Sequence, residues 1–225
     1  MTNVVRRFSS NNIVAKYEGN DPVLKDEYII YTAHWDHLGK NKDLEGDQVY
    51  NGANDNASGT AMIMAAAEAF SNLVEGSKRS ILFLAVTAEE QGLLGAKYYS
   101  LNPLYPLEKT LAVVNIDAMG NTYGKTKDLI VVGKGNSELD QVLEYAAGQN
   151  GKYLIPDAEP EKGFYYRSDH FAFAKQGVPA LYTDGGLDVL GEGIEFGHQM
   201  KDDYTNNHYH GLSDEIHDNL SLIHI

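Results

Sequence analysis

Apolar runs alternate with polar, glycine-rich segments along the chain, and each apolar run predicts an element of secondary structure. One run alternates apolar and polar positions, which predicts a half-exposed strand at residues 12–18. Continuous apolar runs, typical of strands buried on both faces, lie at residues 27–33, 81–86, 110–116, 129–132 and 178–182. Helices are predicted at residues 60–74, 95–101 and 137–149, with a short one ending at Ala174. Residues 183–209 are rich in Gly, Asp and Asn, so we expect them to be irregular.

Strands separated by helices predict an α/β fold with a mostly parallel sheet. The chain has 225 residues, 43% of them hydrophobic, which suffices for one core, so we expect residues 1–225 to form a single domain. The sequence contains no apolar run long enough to predict a membrane span. The first eight residues lack the apolar core of a signal peptide.

Metal-competent side chains follow three of the continuous apolar strands. His34 follows the predicted strand at residues 27–33, Glu89 and Glu90 follow the strand at 81–86, and Asp117 follows the strand at 110–116. Each of them alone also has a structural explanation, either as a buried histidine or as a carboxylate in a solvated loop. In sheets of this class ligands bind beyond the carboxyl ends of the strands. Because all of these side chains follow strands that are expected to end at the same edge of the sheet, a shared site is favoured.

Asp55 is a further candidate, in a polar segment directly before the first predicted helix. It closes a loop at residues 39–56, and loops of that length are usually functional or disordered. Capping of the helix is a competing explanation for Asp55. However, residues 54–56 read Asn-Asp-Asn, which is three polar residues where one cap suffices.

The absence of cysteine limits any metal site to histidine and carboxylate ligands. These ligands suit zinc, and would also hold cobalt or manganese. More carboxylates gather at this edge than one cation needs, which favours two divalent ions. A water molecule shared by two such ions becomes a nucleophile, and one residue of a Glu pair can take its proton while the other binds metal.

The charge balance is strongly acidic, with a formal net charge of −14 and a sequence pI of about 4.9. Nucleic acid is an unfavourable partner for such a chain, because phosphate binding requires basic residues. An acidic protein suits a metal or an amine-bearing substrate. Solubility alone explains the charge equally well, and the sequence does not specify an oligomeric state.

Six segments together resemble a known family. They are residues 32–39 (TAHWDHLG), 51–59 (NGANDNASG), 87–95 (TAEEQGLLG), 115–120 (NIDAMG), 168–170 (SDH) and 209–215 (YHGLSDE). With these motifs the sequence resembles the co-catalytic zinc aminopeptidases of peptidase family M28, in particular bacterial members that carry a protease-associated domain. The resemblance covers residues 12–217 and implies a three-layer α/β/α sandwich with a mixed central sheet.

The resemblance also implies a role for each matching residue. His34 and Asp117 would hold one zinc ion, Glu90 and His210 would hold the other, and Asp55 would bridge the two and precede a cis peptide bond. Glu89 would be the general base, and Asp36 would orient His34. Tyr209 would donate a hydrogen bond to the oxyanion. Arg167 and Tyr165 would line the substrate pocket.

The expected activity is aminopeptidase hydrolysis, in which a metal-bridging hydroxide attacks the first peptide bond of a substrate with a free N-terminus. An M28-like carboxypeptidase is an alternative that the motifs leave open. A glutaminyl cyclase is another alternative. It needs one metal only and should therefore lack part of the His34/Asp117 pair, which is intact here. A non-catalytic binding module with this fold would be expected to have lost ligands. The resemblance further implies a secreted or periplasmic protein.

The sequence departs from the family pattern in several places. Relative to the resembling proteins we expect a domain incomplete at both ends, without the protease-associated domain and without the last helix after His217. Residues 220–225 are excluded from the fold prediction, because we expect them to mark a truncation or a cloning or assembly scar. Of the other histidines, we expect His37 to pack against the loop and His170 to lie beside a metal ligand. The remaining ones are expected at the surface: His198, His208, His217 and His224.

Overall fold

The structure, a computed structural model, describes residues 8–118 and 124–216. Its strands are β1 (Ile13–Tyr17), β2 (Tyr28–His34), β3 (Gly39–Lys40), β4 (Val49–Tyr50), β5 (Ser80–Val86), β6 (Thr110–Ile116), β7 (Asp128–Val131), β8 (Tyr153–Pro156) and β9 (Ala180–Gly185). Its helices are α1 (Gly59–Ser71), α2 (Leu94–Leu101), α3 (Leu139–Gln149), α4 (His170–Ala174) and α5 (Ile194–Asn207). The predictions made for Met119, Gly120, His217, His224 and the two ends of the chain lie outside the described residues.

Seven strands form one mixed sheet in the order β1-β5-β2-β6-β9-β7-β8. Strand β2 pairs in parallel with both β5 and β6, and β6 pairs in parallel with β9. The mostly parallel sheet is therefore confirmed. Strand β1 lies antiparallel at the edge next to β5, and its residues are exposed or half-buried, as the alternating sequence predicted.

Helices cover both faces of the sheet, so the three-layer arrangement is confirmed. Successive side chains of a strand point to opposite faces. On β5, Ile81 and Phe83 pack towards α1, where Ile63 lies in the same apolar cluster. Leu82 and Leu84 pack towards the other face, where α2 and α4 contribute the apolar side chains of Ala96, Tyr99, Ala172 and Phe173. The uniformly apolar sequence of β5 follows from this burial on two sides.

The structure corrects the sequence prediction in three places, although the predicted strands and helices end within three residues of those observed. The loop predicted at residues 39–56 contains a two-stranded ribbon formed by β3 and β4. Strand β8 was not predicted at all. Helix α5 occupies part of the stretch, residues 183–209, that was expected to be irregular.

Tertiary contacts explain why α5 forms in a polar sequence. Gly197 is its one buried residue, and a Cβ atom at this position would lie 2.0 Å from the main-chain oxygen of Leu187. Lys201 Nζ donates to Asp184 Oδ2 at 2.7 Å, which ties the helix to the end of β9. The helix therefore depends on a close backbone approach, and an apolar periodicity could not reveal it.

Within the described ranges, no helix has the length and apolar character needed to cross a bilayer.

Substitution of two helical glycines tests this packing. Gly197→Ala should lower the free energy of unfolding by about 1–3 kcal/mol, because the added methyl group overlaps the Leu187 carbonyl group. Gly148→Ala in α3 is the matched control, because a Cβ atom there meets no atom within 4 Å. It should raise the free energy by about 0.5–1 kcal/mol. Urea unfolding of the metal-free proteins measures both values, and equal stabilities would contradict the close approach of α5.

Candidate metal centre

The five side chains predicted as metal ligands come together at one edge of the central strands. His34 is the last residue of β2, Asp117 directly follows β6, and Glu90 lies in the turn after β5. Because β2 pairs in parallel with β5 and β6, these three carboxyl ends share an edge. The other two come from outside the sheet, Asp55 from the turn before α1 and His210 from the segment after α5.

The five side chains form two groups that share Asp55. In the first group, His34 Nε2 lies 3.1 Å from Asp55 Oδ1 and 3.3 Å from Asp117 Oδ1. In the second group, His210 Nε2 lies 3.2 Å from Asp55 Oδ2 and 3.1 Å from Glu90 Oε2. Each oxygen of Asp55 thus faces a different histidine, and each histidine faces a second carboxylate. This is the partition that the family resemblance implied.

The charges of the cluster require compensation by positive charge. Burial disfavours the charged form of His34, but the neighbouring carboxylates outweigh this effect and raise its pKa. Contacts with Asp55 and Glu90 raise the pKa of His210 to about 10. Burial, together with the charge of Asp117, raises the pKa of Glu89 to about 9. All three shifts reflect the same excess of buried negative charge, which bound cations would offset.

Two side chains tie down the turn that carries Asp55. Asp214 accepts hydrogen bonds from the main-chain N–H groups of Asn54 at 2.9 Å and Asp55 at 3.1 Å. Asn56 accepts one from the N–H group of Gly59, the first residue of α1, at 2.9 Å. Asn56, rather than Asp55, therefore satisfies the first N–H group of the helix, which leaves the Asp55 carboxylate available to the cluster. The Asp55–Asn56 peptide bond is cis, as the resemblance implied.

Asp117 is held by a short chain of buried hydrogen bonds. The hydroxyl group of Ser168 donates to Asp117 Oδ2, and the amide of Asn115 donates to Ser168 Oγ at 2.6 Å. All three residues are buried. Sequence reasoning identified the motifs that contain Ser168 and Asn115 but gave these two residues no role. The sequence indicated them only as members of two separate motifs. Because they lie far apart in the chain, their contact could not be predicted from it.

Asp36 acts differently from the role implied for it. His34 Nδ1 lies 2.8 Å from the main-chain oxygen of Asp36, so the backbone and not the carboxylate orients the ring. The carboxylate accepts hydrogen bonds from the Thr87 hydroxyl group at 2.6 Å and from the Ala88 main-chain N–H group at 2.8 Å. Ala88 has a φ of +55°, a left-handed conformation that costs energy in a non-glycine residue. Asp36 therefore anchors the turn that leads to Glu89.

Of the three predicted substrate-binding residues, Tyr209 contacts the cluster, the charge of Arg167 acts on Tyr209, and Tyr165 lies elsewhere. The ring of Tyr209 stacks on that of His210, with centroids 3.9 Å apart. Burial raises the pKa of Tyr209, and the exposed Arg167 is near enough to oppose this shift. Tyr165 instead packs edge-on against His170, with centroids 4.8 Å apart. It lines a cavity of 480 Å³ beside the amino-terminal ends of β6 and β9, at the edge opposite the metal ligands.

The other histidines divide into surface, core and cluster positions. His198 is exposed, and His208 Nδ1 lies 3.0 Å from Ser213 Oγ near the surface. His170 is fully buried in an aromatic environment, and burial lowers its pKa to about 3, so it is a neutral core histidine. His170 was expected beside a metal ligand, but its observed ring contacts are with Tyr165 and Tyr182. His37 also departs from its prediction, because its side chain is only 4% exposed and its Nδ1 lies 2.8 Å from Glu90 Oε1.

The donor set fits divalent cations of the zinc type. Imidazole nitrogen and carboxylate oxygen converge here, in a chain without cysteine. Buried polar groups are normally hydrogen-bonded. Within the part of the chain that the structure describes, several buried atoms near the cluster lack a hydrogen-bond partner: Glu90 Oε1, both nitrogens of His37 and both carboxylate oxygens of Asp169. Such unpaired atoms are expected where a ligand completes the site.

Comparison with known proteins gives a family and a fold. The sequence model described as "Peptidase family M28" matches residues 12–223. Leucine aminopeptidase 2 of Arthroderma otae is 30% identical over 235 residues, which covers 97% of this chain and 43% of that protein. The chain thus spans less than half the length of this curated relative.

Solved structures share the fold at lower sequence identity. BSAP, a zinc aminopeptidase from Bacillus subtilis, has a TM-score of 0.60 at 23% identity, covering 85% of this chain and 47% of that one. The glutaminyl cyclase of an Acidobacteriales bacterium also has a TM-score of 0.60, at 22% identity, covering 95% of this chain and 68% of that one. These two likenesses support the fold and do not by themselves distinguish the activities.

Removal of the Asp214 carboxylate tests how the Asp55 turn is held. Asp214→Ala should lower the free energy of unfolding of the metal-free protein by about 2–4 kcal/mol, because two buried N–H groups lose a charged acceptor. It should also lower zinc content, since Asp55 is no longer fixed. The exposed Asp202 provides the control substitution, Asp202→Ala. Urea unfolding and metal analysis check the expectation, and unchanged values for Asp214→Ala would contradict it.

Proposed function

The chain belongs to peptidase family M28, and we propose that it acts as a zinc-dependent aminopeptidase on peptides with a free N-terminus. The observation that carries the proposal is the shared position of Asp55. Its two oxygens face two separate histidine–carboxylate pairs, formed with His34 and His210. A carboxylate between two such pairs suits two neighbouring divalent cations.

The proposed ligands are His34 and Asp117 for one cation and Glu90 and His210 for the other, with Asp55 common to both. Bound zinc would supply Lewis acidity, which polarises the scissile carbonyl group and makes water a nucleophile near neutral pH. Cobalt and manganese share the same ligand preferences and are proposed as substitutes. The leucine aminopeptidase and zinc aminopeptidase named above support this assignment by their sequence and fold similarity.

Glu89 is the proposed general base. It is buried, and its carboxylate lies in the same cluster as His34 and Glu90, whose ligand atoms are all within 4.8 Å of one another. Asp36 holds the turn that leads to Glu89, which fixes the direction of this side chain. Glu89 would accept a proton from the attacking water and transfer it to the leaving amine. Tyr209, stacked on His210, would donate a hydrogen bond to the oxygen on which negative charge develops.

Electrostatics favours a substrate with a positively charged amino terminus. The chain carries a net charge of −14, and its buried carboxylates converge at this edge of the sheet. Clefts with one sign of charge raise the local concentration of oppositely charged ligands. Glutaminyl cyclase activity is the second candidate because of the shared fold, and the complete His34/Asp117 pair favours the peptidase.

Substitution of the proposed base separates chemistry from metal binding. Glu89→Gln should lower kcat by about 10²–10⁴-fold, because the amide cannot accept the proton. Zinc content should stay at about two ions per chain, since Glu89 is not among the proposed ligands. Glu45→Gln, at an exposed position, is the control and should leave both values unchanged. Full activity of Glu89→Gln would refute the assigned role.

Substrate choice tests the reaction itself. The zinc-loaded chain should hydrolyse an aminoacyl-4-nitroanilide, and acetylation of the substrate's amino group should abolish the reaction. Dialysis against a chelator should remove activity, and added zinc should restore it. Release of nitroaniline, followed by absorbance, measures all three. Hydrolysis of the acetylated substrate alone would indicate a carboxypeptidase or endopeptidase, and cyclisation of an N-terminal glutaminyl peptide would indicate the cyclase.

A further inference from the structure

One histidine in the centre has no place in the set of proposed ligands. His37 follows β2 by three residues, in the segment that also carries Asp36. Its side chain is almost completely buried, and its ring meets that of His210 edge-on at 5.5 Å. Its Nδ1 lies 2.8 Å from Glu90 Oε1, while Glu90 Oε2 faces His210 at 3.1 Å. The Glu90 carboxylate is therefore held between two imidazole rings.

We propose that His37 is a positioning residue of the metal centre, which fixes Glu90 through its outer oxygen so that the inner oxygen is presented to the cation. This inference rests on the proposed function, because it assumes that Glu90 is a metal ligand. A carboxylate with one contact can rotate about its last bond, whereas contacts at both oxygens fix its plane. Polar side chains beside the ligands of a metal commonly set the orientation and affinity of those ligands.

The surroundings of His37 argue against a purely structural role. Neither ring nitrogen has a hydrogen-bond partner within the described residues, and Nδ1 is close to Glu90 Oε1 without the alignment of a hydrogen bond. A histidine that only filled space would be expected to bond to the main chain or to be replaced by an apolar residue. The same ring also lies near enough to Asp55 to stabilise its negative charge. Both contacts are with proposed ligands of the same cation.

The backbone makes room for this ring at Gly52. A Cβ atom there would lie 2.7 Å from His37 Cγ and 2.2 Å from the main-chain oxygen of Asp55. Gly52 also has a φ of +61°, in the left-handed region that favours glycine. The ring is thus inserted between the turn that carries Asp55 and the side chain of Glu90. A substitution at Gly52 would disturb both, so His37 itself is the residue to change.

Two substitutions distinguish the nitrogen from the bulk of the ring. His37→Phe keeps an aromatic ring and removes both nitrogens, whereas His37→Asn keeps a side-chain N–H donor near the position of Nδ1. His198→Phe is the matched control, because His198 is exposed. The probe is zinc alone, added to metal-free protein in the presence of a competing chelator. The measured quantities are the dissociation constants of the bound zinc ions, and circular dichroism checks that each metal-free variant is folded.

We expect His37→Phe to weaken one of the two bound zinc ions by about 10–100-fold, with a smaller change in the other. His37→Asn should stay within a few-fold of the wild type, as should His198→Phe. Unchanged zinc binding in His37→Phe would overturn the proposal, and so would an equal loss in His37→Asn. If His37→Phe is unfolded, His37→Leu removes the same nitrogens with a smaller side chain and is judged by the same criterion. A wild-type chain that binds no zinc would instead refute the proposed function.

Discussion

The concentration of negative charge at one edge of the sheet is the constraint on which the rest of the structure depends. Asp55, Glu90 and Asp117 place carboxylate oxygens within 3.3 Å of two shared imidazole nitrogens. Like charges held so closely repel each other strongly in a buried site. Such an arrangement persists only if positive charge lies among the carboxylates and if the surrounding backbone cannot relax. The protein supplies the second condition through its fold.

The three carboxylate ligands are each held in place by a side chain from elsewhere in the sequence. Asp214 holds the turn of Asp55, and Ser168 holds Asp117. The turn that carries the glutamate pair is held by Asp36 and also by Asn12, whose side chain accepts a hydrogen bond from the Thr87 N–H group and donates one to the Gly95 carbonyl group. These contacts span large distances along the chain, so the site requires the whole sheet to be assembled.

Sequence patterns predicted the fold well where apolar residues form a continuous or periodic pattern, and poorly in the polar stretches. The continuous apolar run of β5 and the polar residues after it located the sheet and its functional edge. The polar helix α5 escaped prediction because its stability comes from the approach of Gly197 to Leu187, which leaves no periodic signal. Likewise, the sequence predicted that Asp36 orients His34 and that His37 packs against the loop, and the structure shows other contacts for both side chains. Backbone geometry decides which atom of Asp36 contacts His34 and whether the His37 ring points towards Glu90. Residue types alone do not encode that geometry.

The shared carboxylate also has a thermodynamic consequence. An ion bound next to His34 would withdraw electron density from Asp55, and its charge would act on a neighbouring ion through the same bridging group. If the proposed pair of cations binds, occupancy of the two positions would therefore be coupled, and filling would be anticooperative. The half-loaded protein would then be a distinct species, stabilised over a range of free metal concentrations that widens as the repulsion between the ions increases.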